Sequence, residues 1–139
     1  APLFVRIPVE KPVLVAWGGG PVSSFGNGIT QGIVPFTKQV TDVVSGRDFS
    51  LIIDQAGALQ PWGNLQSSGA VVPSGLANVV EVATGESHVL ALLADGSVVA
   101  WGSNSEGQTS LPQFAERVVR LAASGNASFA LMANGKVAS

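Results

Sequence analysis

Apolar positions along this chain fall in short runs, often alternating with polar ones, and never at the 3.6-residue spacing of an amphipathic helix. The clearest stretch runs from Val79 to Gly102. There Val79–Ala83 is an apolar approach, Val89–Leu93 a second run, Asp95-Gly96 a turn, and Val98–Trp101 a return run. Short apolar runs bounded by glycine-containing turns predict strands joined as hairpins. The same order recurs around it. Val40, Val43 and Val44 lead to Gly46, Phe49–Ile53 follows, Gln55-Ala56-Gly57 turns, and Ala58–Trp62 returns. Pro61 removes a ladder donor, so that return strand is expected at an edge or a bend. Val118–Ala122, Gly125, Phe129–Met132 and Asn134-Gly135 give a third copy, and Asn-Gly is a strong two-residue hairpin turn. Before residue 40 the pattern weakens. Leu3–Ile7 and Val13–Trp17 flank a proline-bounded loop and predict a degenerate first hairpin, and the glycine-rich stretch 18–35 predicts a long loop with one short strand near Ile33-Val34.

Counting turns this pattern into a repeat. Gly46, Gly85 and Gly125 stand 39 and 40 residues apart, Gly57, Gly96 and Gly135 follow them, and Trp62 and Trp101 each lie five residues past a hairpin glycine. A period near 40 with several strands per period predicts an all-β fold of β-propeller blades. The expected organisation is a degenerate hairpin and loop over 1–39 and propeller repeats over 40–139, with units near 40–78, 79–117 and 118–139. The tryptophan due after Gly135 would fall at position 140, so the 139 residues hold about three and a half units. A ring of blades takes roughly four to eight, so closure is expected from more chain, a second copy or a partner.

Composition narrows the function classes. Seven Lys and Arg against nine Asp and Glu give a net charge of −2 and no basic run, which disfavours nucleic-acid binding. No apolar run approaches the length of a membrane span. The chain has no cysteine and one histidine, His88, which removes thiolate and multi-histidine metal sites. No Asp-x-Asp-x-Asp calcium loop is present, and Gly18-Gly19-Gly20 lacks the Lys-Ser/Thr of a phosphate loop. No cofactor is expected. Asp95 and Asp54 lie at or beside turns and read as turn formers rather than acids or bases. Asn126-Ala127-Ser128 fits a glycosylation sequon, a pattern common enough to arise by chance in a turn. His88 is expected to hydrogen-bond between blade turns, and the tryptophans to pack between blades.

The unit from Ala83 to Gln108 resembles the repeats of the regulator of chromosome condensation family. Ala83, Gly85, His88, Ala91-Leu92, Asp95-Gly96, Trp101-Gly102, Asn104 and Gly107-Gln108 carry the resemblance. Flanking copies keep Gly46, Gly57 and Trp62-Gly63 on one side, and Ala123, Gly125, Ala130-Leu131 and Asn134-Gly135 on the other. Residues before 40 share only Ala16-Trp17-Gly18 with it. The resemblance implies a seven-bladed propeller of four-stranded blades, of which this chain would supply part of a ring or an open arc. It also implies binding through blade loops, as in family members that are small-GTPase exchange factors, chromatin-binding proteins or a secreted bacterial β-lactamase inhibitor with similarly compact repeats. No loop diagnostic of GTPase exchange is matched, and the acidic balance argues against chromatin.

Residues that follow the repeated glycines should emerge on one rim. Arg47, Asp48, Phe49, Glu86, Ser87 and Asn126 are therefore the expected partner-binding positions, with Phe49 supplying apolar area if it is exposed. The expected function is a non-catalytic interaction or structural subunit that presents these loops to a protein partner, with self-association or a larger assembly as the route to closure. An inhibitor covering an enzyme's active site with the same rim, a disfavoured small-GTPase exchange factor, and an enzyme with a pocket at the ring centre are the alternatives.

Overall fold

The computed structural model describes residues 13–15, 33–35, 40–63 and 69–139. Within them the regular structure is entirely β. A short antiparallel pair joins β1 (Val13–Val15) to β2 (Ile33–Pro35). The strand expected near Ile33-Val34 is thus present, but its partner is Val13–Val15; the hairpin expected between that run and Leu3–Ile7 lies outside the described residues. Three antiparallel sheets follow, each a meander of three strands. They are β3 (Val40–Ser45), β4 (Phe49–Asp54) and β5 (Leu59–Gly63); β6 (Val79–Thr84), β7 (His88–Leu93) and β8 (Val98–Gly102); and β9 (Val118–Ser124), β10 (Ala127–Met132) and β11 (Val137–Ala138). Pro61 sits in β5, opposite Leu51, on the edge strand of its sheet, where the missing N–H costs no ladder bond.

Structural equivalence runs at 39 residues throughout. Hairpin glycines Gly57, Gly96 and Gly135 all adopt left-handed φ, 75°, 88° and 80°, which a side chain resists. Beside them, Asp54 Oδ1 accepts the N–H groups of Ala56 and Ala58, Asp95 Oδ1 accepts the N–H and hydroxyl of Ser97, and Asn134 Oδ1 accepts the N–H of Lys136. Those bonds hold the Asp95 carboxyl below its usual range and identify both aspartates as turn formers. A β-bulge interrupts each first strand at the same place, Thr41, Val80 and Val119.

Packing follows from strand alternation. Successive β7 side chains point to opposite faces, so Val89 and Ala91 enter one core while Leu90 and Leu92 enter another. The first core joins Phe49, Leu51 and Ile53 of β4 to Val82, Val89, Ala91 and Trp101 of the middle sheet. The second joins Leu90 and Leu92 to Val118, Leu121, Ala130 and Met132. Sheets therefore stack face to face, which is how blades pack in a propeller. Trp101 fulfils the packing expectation: it is buried, and its indole N–H donates to the Ala70 carbonyl at 3.1 Å. Trp17 and the Trp62 side chain lie outside the described residues.

Among the described residues each of the three meanders has three strands where the family resemblance implies four. After the middle sheet, the segment that follows β8 is held in turns by its own side chains. Asn104 Oδ1 accepts the N–H of Thr109, and Gln108 Oε1 accepts the N–H of Glu106, so backbone donors are met locally instead of by a ladder.

Candidate functional site

Each first hairpin turns on two residues, and the three tips line up. Gly46 N–H donates to Phe49 O, and Gly85 N–H to His88 O, leaving Arg47-Asp48 and Glu86-Ser87 as the loops; Ser124 pairs with Ala127 around Gly125-Asn126. Arg47 N–H donates to Glu86 O and Glu86 N–H donates to Gly125 O, both at 3.0 Å. Equivalent residues are thus stitched tip to tip by backbone bonds. Thr84 adds a 2.7 Å bond from its hydroxyl to the Ser45 carbonyl. A shallow groove of about 320 Å³ runs along this ledge, between Ser45–Arg47, Thr84–Glu86 and Ala123–Gly125.

Of the residues expected at a rim, Arg47, Asp48, Glu86 and Asn126 are exposed on the ledge, and Ser87 is half-buried with its carbonyl accepting the N–H of Ser103 at 2.7 Å. Arg47 and Glu86 approach to 3.9 Å across two tips; both are well exposed, so solvent and salt leave this pair little energy. Phe49 is the correction. It is 3 % exposed and packs in the core between the first two sheets. The cause is geometric: a Cβ on Gly46 would lie 2.3 Å from the Phe49 ring, so that glycine exists to let the ring fold back over it. Phe49 offers no apolar area to a partner.

The same comparison corrects the glycine count. A Cβ on Gly85 would lie 2.1 Å from the His88 ring, as at Gly46 with Phe49, whereas Gly125 has nothing near it and a φ of +54°. Gly125 is therefore the counterpart of Glu86, chosen for its left-handed backbone, and the interval of 40 was one residue too long. Sequence spacing could not separate a glycine that makes room from one that makes a bend.

His88 occupies the place of Phe49 one sheet later. It is fully buried, and its Nε2 lies 2.9 Å from Ser128 Oγ, which donates to the Gln108 carbonyl at 2.7 Å. Because the serine proton goes to that carbonyl, Nε2 carries the imidazole proton and donates to Ser128. The histidine thus links the second and third sheets, as expected of a structural residue. Burial pushes its pKa down, and its Nδ1 is buried without a hydrogen-bond partner. Folded protein then resists a proton that the unfolded chain accepts as pH falls through about 6.5, so stability should decline from pH 7.5 to pH 5.5. Val89 is the counterpart of Ser128, so Phe49 and Val89 form an apolar version of this pair. We expect Ser128→Val alone to cost about 1–3 kcal/mol by stranding the Nε2 proton. Adding His88→Phe should recover much of that loss and flatten the pH dependence. Urea unfolding of the unsubstituted chain and the two variants at both pH values checks this; a double variant no better than Ser128→Val would disprove it.

Among the described residues no group of three or more His, Asp or Glu side chains could hold a metal ion, and no helix is long and apolar enough to cross a membrane.

Stacked three-stranded meanders joined tip to tip are blades of a β-propeller, and comparison with known proteins specifies the type. Residues 79–108 match the family model described as regulator of chromosome condensation (RCC1) repeat. Prp20p from Saccharomyces cerevisiae, in a study of its binding to Gsp1p and histones, superposes with a TM-score of 0.70 at 23 % identity, covering 90 % of this chain and 38 % of that one. Yeast RCC1 (Prp20) bound to Kap60 gives 0.69 at 24 % over 90 % and 37 %, and human WBSCR16 gives 0.60 at 25 % over 75 % and 33 %. Residues 79–108 are thus similar to an RCC1 repeat, and the likeness to these structures shows the propeller fold. No curated protein sequence matches significantly, and the chain spans between a third and two fifths of these structural relatives.

Proposed function

We propose that this chain is a non-catalytic interaction subunit that docks a protein partner on the ledge of hairpin tips. The observation that carries this reading is the tip-to-tip ladder. It fixes a row of backbone positions, while Arg47-Asp48, Glu86-Ser87 and Asn126 differ from tip to tip and project their side chains from it. A rigid row with varied exposed side chains suits recognition, because little order is lost on binding. Support comes from structural relatives that engage proteins: yeast Prp20 is described with Gsp1p, histones and Kap60.

The test is a partner-binding isotherm with Arg47→Ala, Glu86→Ala and Asn126→Ala. The partner should bind at least about tenfold more weakly when Arg47 and Glu86 are both removed, with the melting temperature unchanged, since exposed polar truncations rarely move stability by more than about 0.5 kcal/mol. Unchanged affinity in all three variants would defeat the reading. Two alternatives share the ledge. Faster nucleotide release from a small GTPase would replace the proposal with exchange activity, a reading that the similarity to Prp20 keeps in view. Loss of an enzyme partner's turnover on titration would make the subunit an inhibitor.

A further inference from the structure

The turn from β10 to β11 carries Asn134-Gly135, and its backbone repeats that of the two earlier hairpins. Gly57, Gly96 and Gly135 each donate an N–H to the carbonyl three residues back, on Asp54, Leu93 and Met132, at 2.9 Å. Those three residues in turn donate to the carbonyls of Ala58, Ser97 and Lys136 at 2.9 to 3.0 Å. The residue before the glycine is alanine in the first turn, aspartate in the second and asparagine in the third. Asp95 Oδ1 accepts the Ser97 N–H at 2.9 Å, and Asn134 Oδ1 accepts the Lys136 N–H at 3.0 Å. A carboxylate and a carboxamide therefore make the same bond in the same turn.

Of the two, the carboxamide can react with its own backbone. Gly135 N can attack Asn134 Cγ to close a five-membered succinimide, the new N–C bond forming as the carboxamide C–N bond breaks and ammonia leaves. Water then opens the ring at one carbonyl to give aspartate or at the other to give isoaspartate, so the whole change takes up water and releases ammonia. A glycine in the attacking position sets no side chain against this closure. Residues 133–136 are exposed, so water reaches the turn. Among the described residues the other asparagines, Asn78, Asn104 and Asn126, precede valine, serine and alanine, whose side chains crowd the attacking nitrogen. Asn27-Gly28 lies outside the described residues.

We propose that Asn134 is a site of slow spontaneous deamidation, restrained by its turn and accepted by that turn in the aspartate form. Restraint comes from two hydrogen bonds: the Gly135 N–H must leave Met132, and Asn134 Oδ1 must leave the Lys136 N–H, before the ring can close. Acceptance comes from the repeat. Aspartate at 134 takes the place that Asp95 fills one hairpin earlier, and an ionised oxygen binds the Lys136 N–H more strongly than the amide oxygen it replaces. Isoaspartate is the product the turn rejects, because its main chain runs through Cβ and the added carbon separates Met132 from the Lys136 carbonyl that closes the hairpin. The aspartate adds one negative charge to a chain of formal net charge −2. It arises at the end of β10 opposite the ledge, so its failure would leave the ledge reading intact.

The experiment keeps the folded chain in mildly alkaline buffer beside a sample unfolded in urea, and follows the tryptic peptide 121–136, released by cleavage after Arg120 and Lys136, by mass spectrometry. Exchange of NH for O is expected at Asn134, located by fragmentation. Its rate should be at least about tenfold above that at Asn126 in the same peptide, because alanine hinders the closure that glycine permits. Conversion in urea should be at least about tenfold faster than in the folded chain, since both restraining bonds are then open. Asn134→Asp should fold with an unchanged melting temperature, whereas the isoaspartate fraction of the aged sample, separated by chromatography, should melt lower. No conversion at Asn134 in either sample, conversion at Asn126 ahead of it, a rate no higher in urea, or a lowered melting temperature for Asn134→Asp would each overturn the proposal.

Discussion

Leu90→Ala should lower the unfolding free energy by about 3–4 kcal/mol. Leu90 is 1 % exposed and lies where the second sheet meets Leu121, Ala130 and Met132 of the third. Truncating such a leucine loses the transfer energy of its methyl groups and leaves a cavity that two rigid sheets cannot collapse around, a combination that costs about 2–5 kcal/mol. Domains of this size hold only about 5–15 kcal/mol in total, so the variant should denature at clearly lower urea with an unchanged slope. Leu131→Ala is the control. Leu131 is 36 % exposed on the outward face of β10 and should cost about 1 kcal/mol or less. Equal midpoints for the two variants would show that the sheets do not pack through this face.

Gly85→Ala should be almost as damaging, although it adds a single methyl group. Its Cβ would stand 2.1 Å from the His88 ring and 2.5 Å from the Gly125 carbonyl. The ring could rotate away only by giving up its bond to Ser128, and the carbonyl belongs to the tip-to-tip ladder. Overpacking of this kind costs about 1–3 kcal/mol, and a loss near the upper end is expected because the obstacle includes backbone. Gly107→Ala serves as comparison, since Gly107 has nothing within 4 Å and only its φ of +82° resists a side chain. A smaller loss, about 1 kcal/mol, is expected there. Thermal melts of the two variants check the order; Gly107→Ala melting lower than Gly85→Ala would contradict it.

Much of this architecture was legible because its landmarks are residues with few substitutes. Gly57, Gly96 and Gly135 mark turns that demand left-handed φ, and the aspartates and asparagine beside them satisfy turn donors, so the hairpins could be counted from sequence. Strand alternation likewise anticipated β4, β7 and β10. Less could be read where one residue type serves two ends. Gly125 looked like another Gly85 because neither space nor φ is written in a glycine. Phe49 looked like a rim contact because it follows Arg47-Asp48, yet alternation turns it inward and Gly46 makes room for it. The short pair of Val13–Val15 with Ile33–Pro35 joins residues about 20 apart, and no local turn signal points to such a partner.

The 39-residue register of the tips also governs how the chain can assemble. Within the three meanders every ladder joins strands next to each other in sequence, and the bonds between sheets reach from one repeat to the following one, as from Arg47 to Glu86. No contact needed to stack these sheets has to wait for a distant part of the polypeptide. Closing short loops first keeps the entropic barrier low and favours fast folding even in an all-β protein. Such a chain can add one sheet at a time as it leaves the ribosome, each serving as the template on which its successor settles.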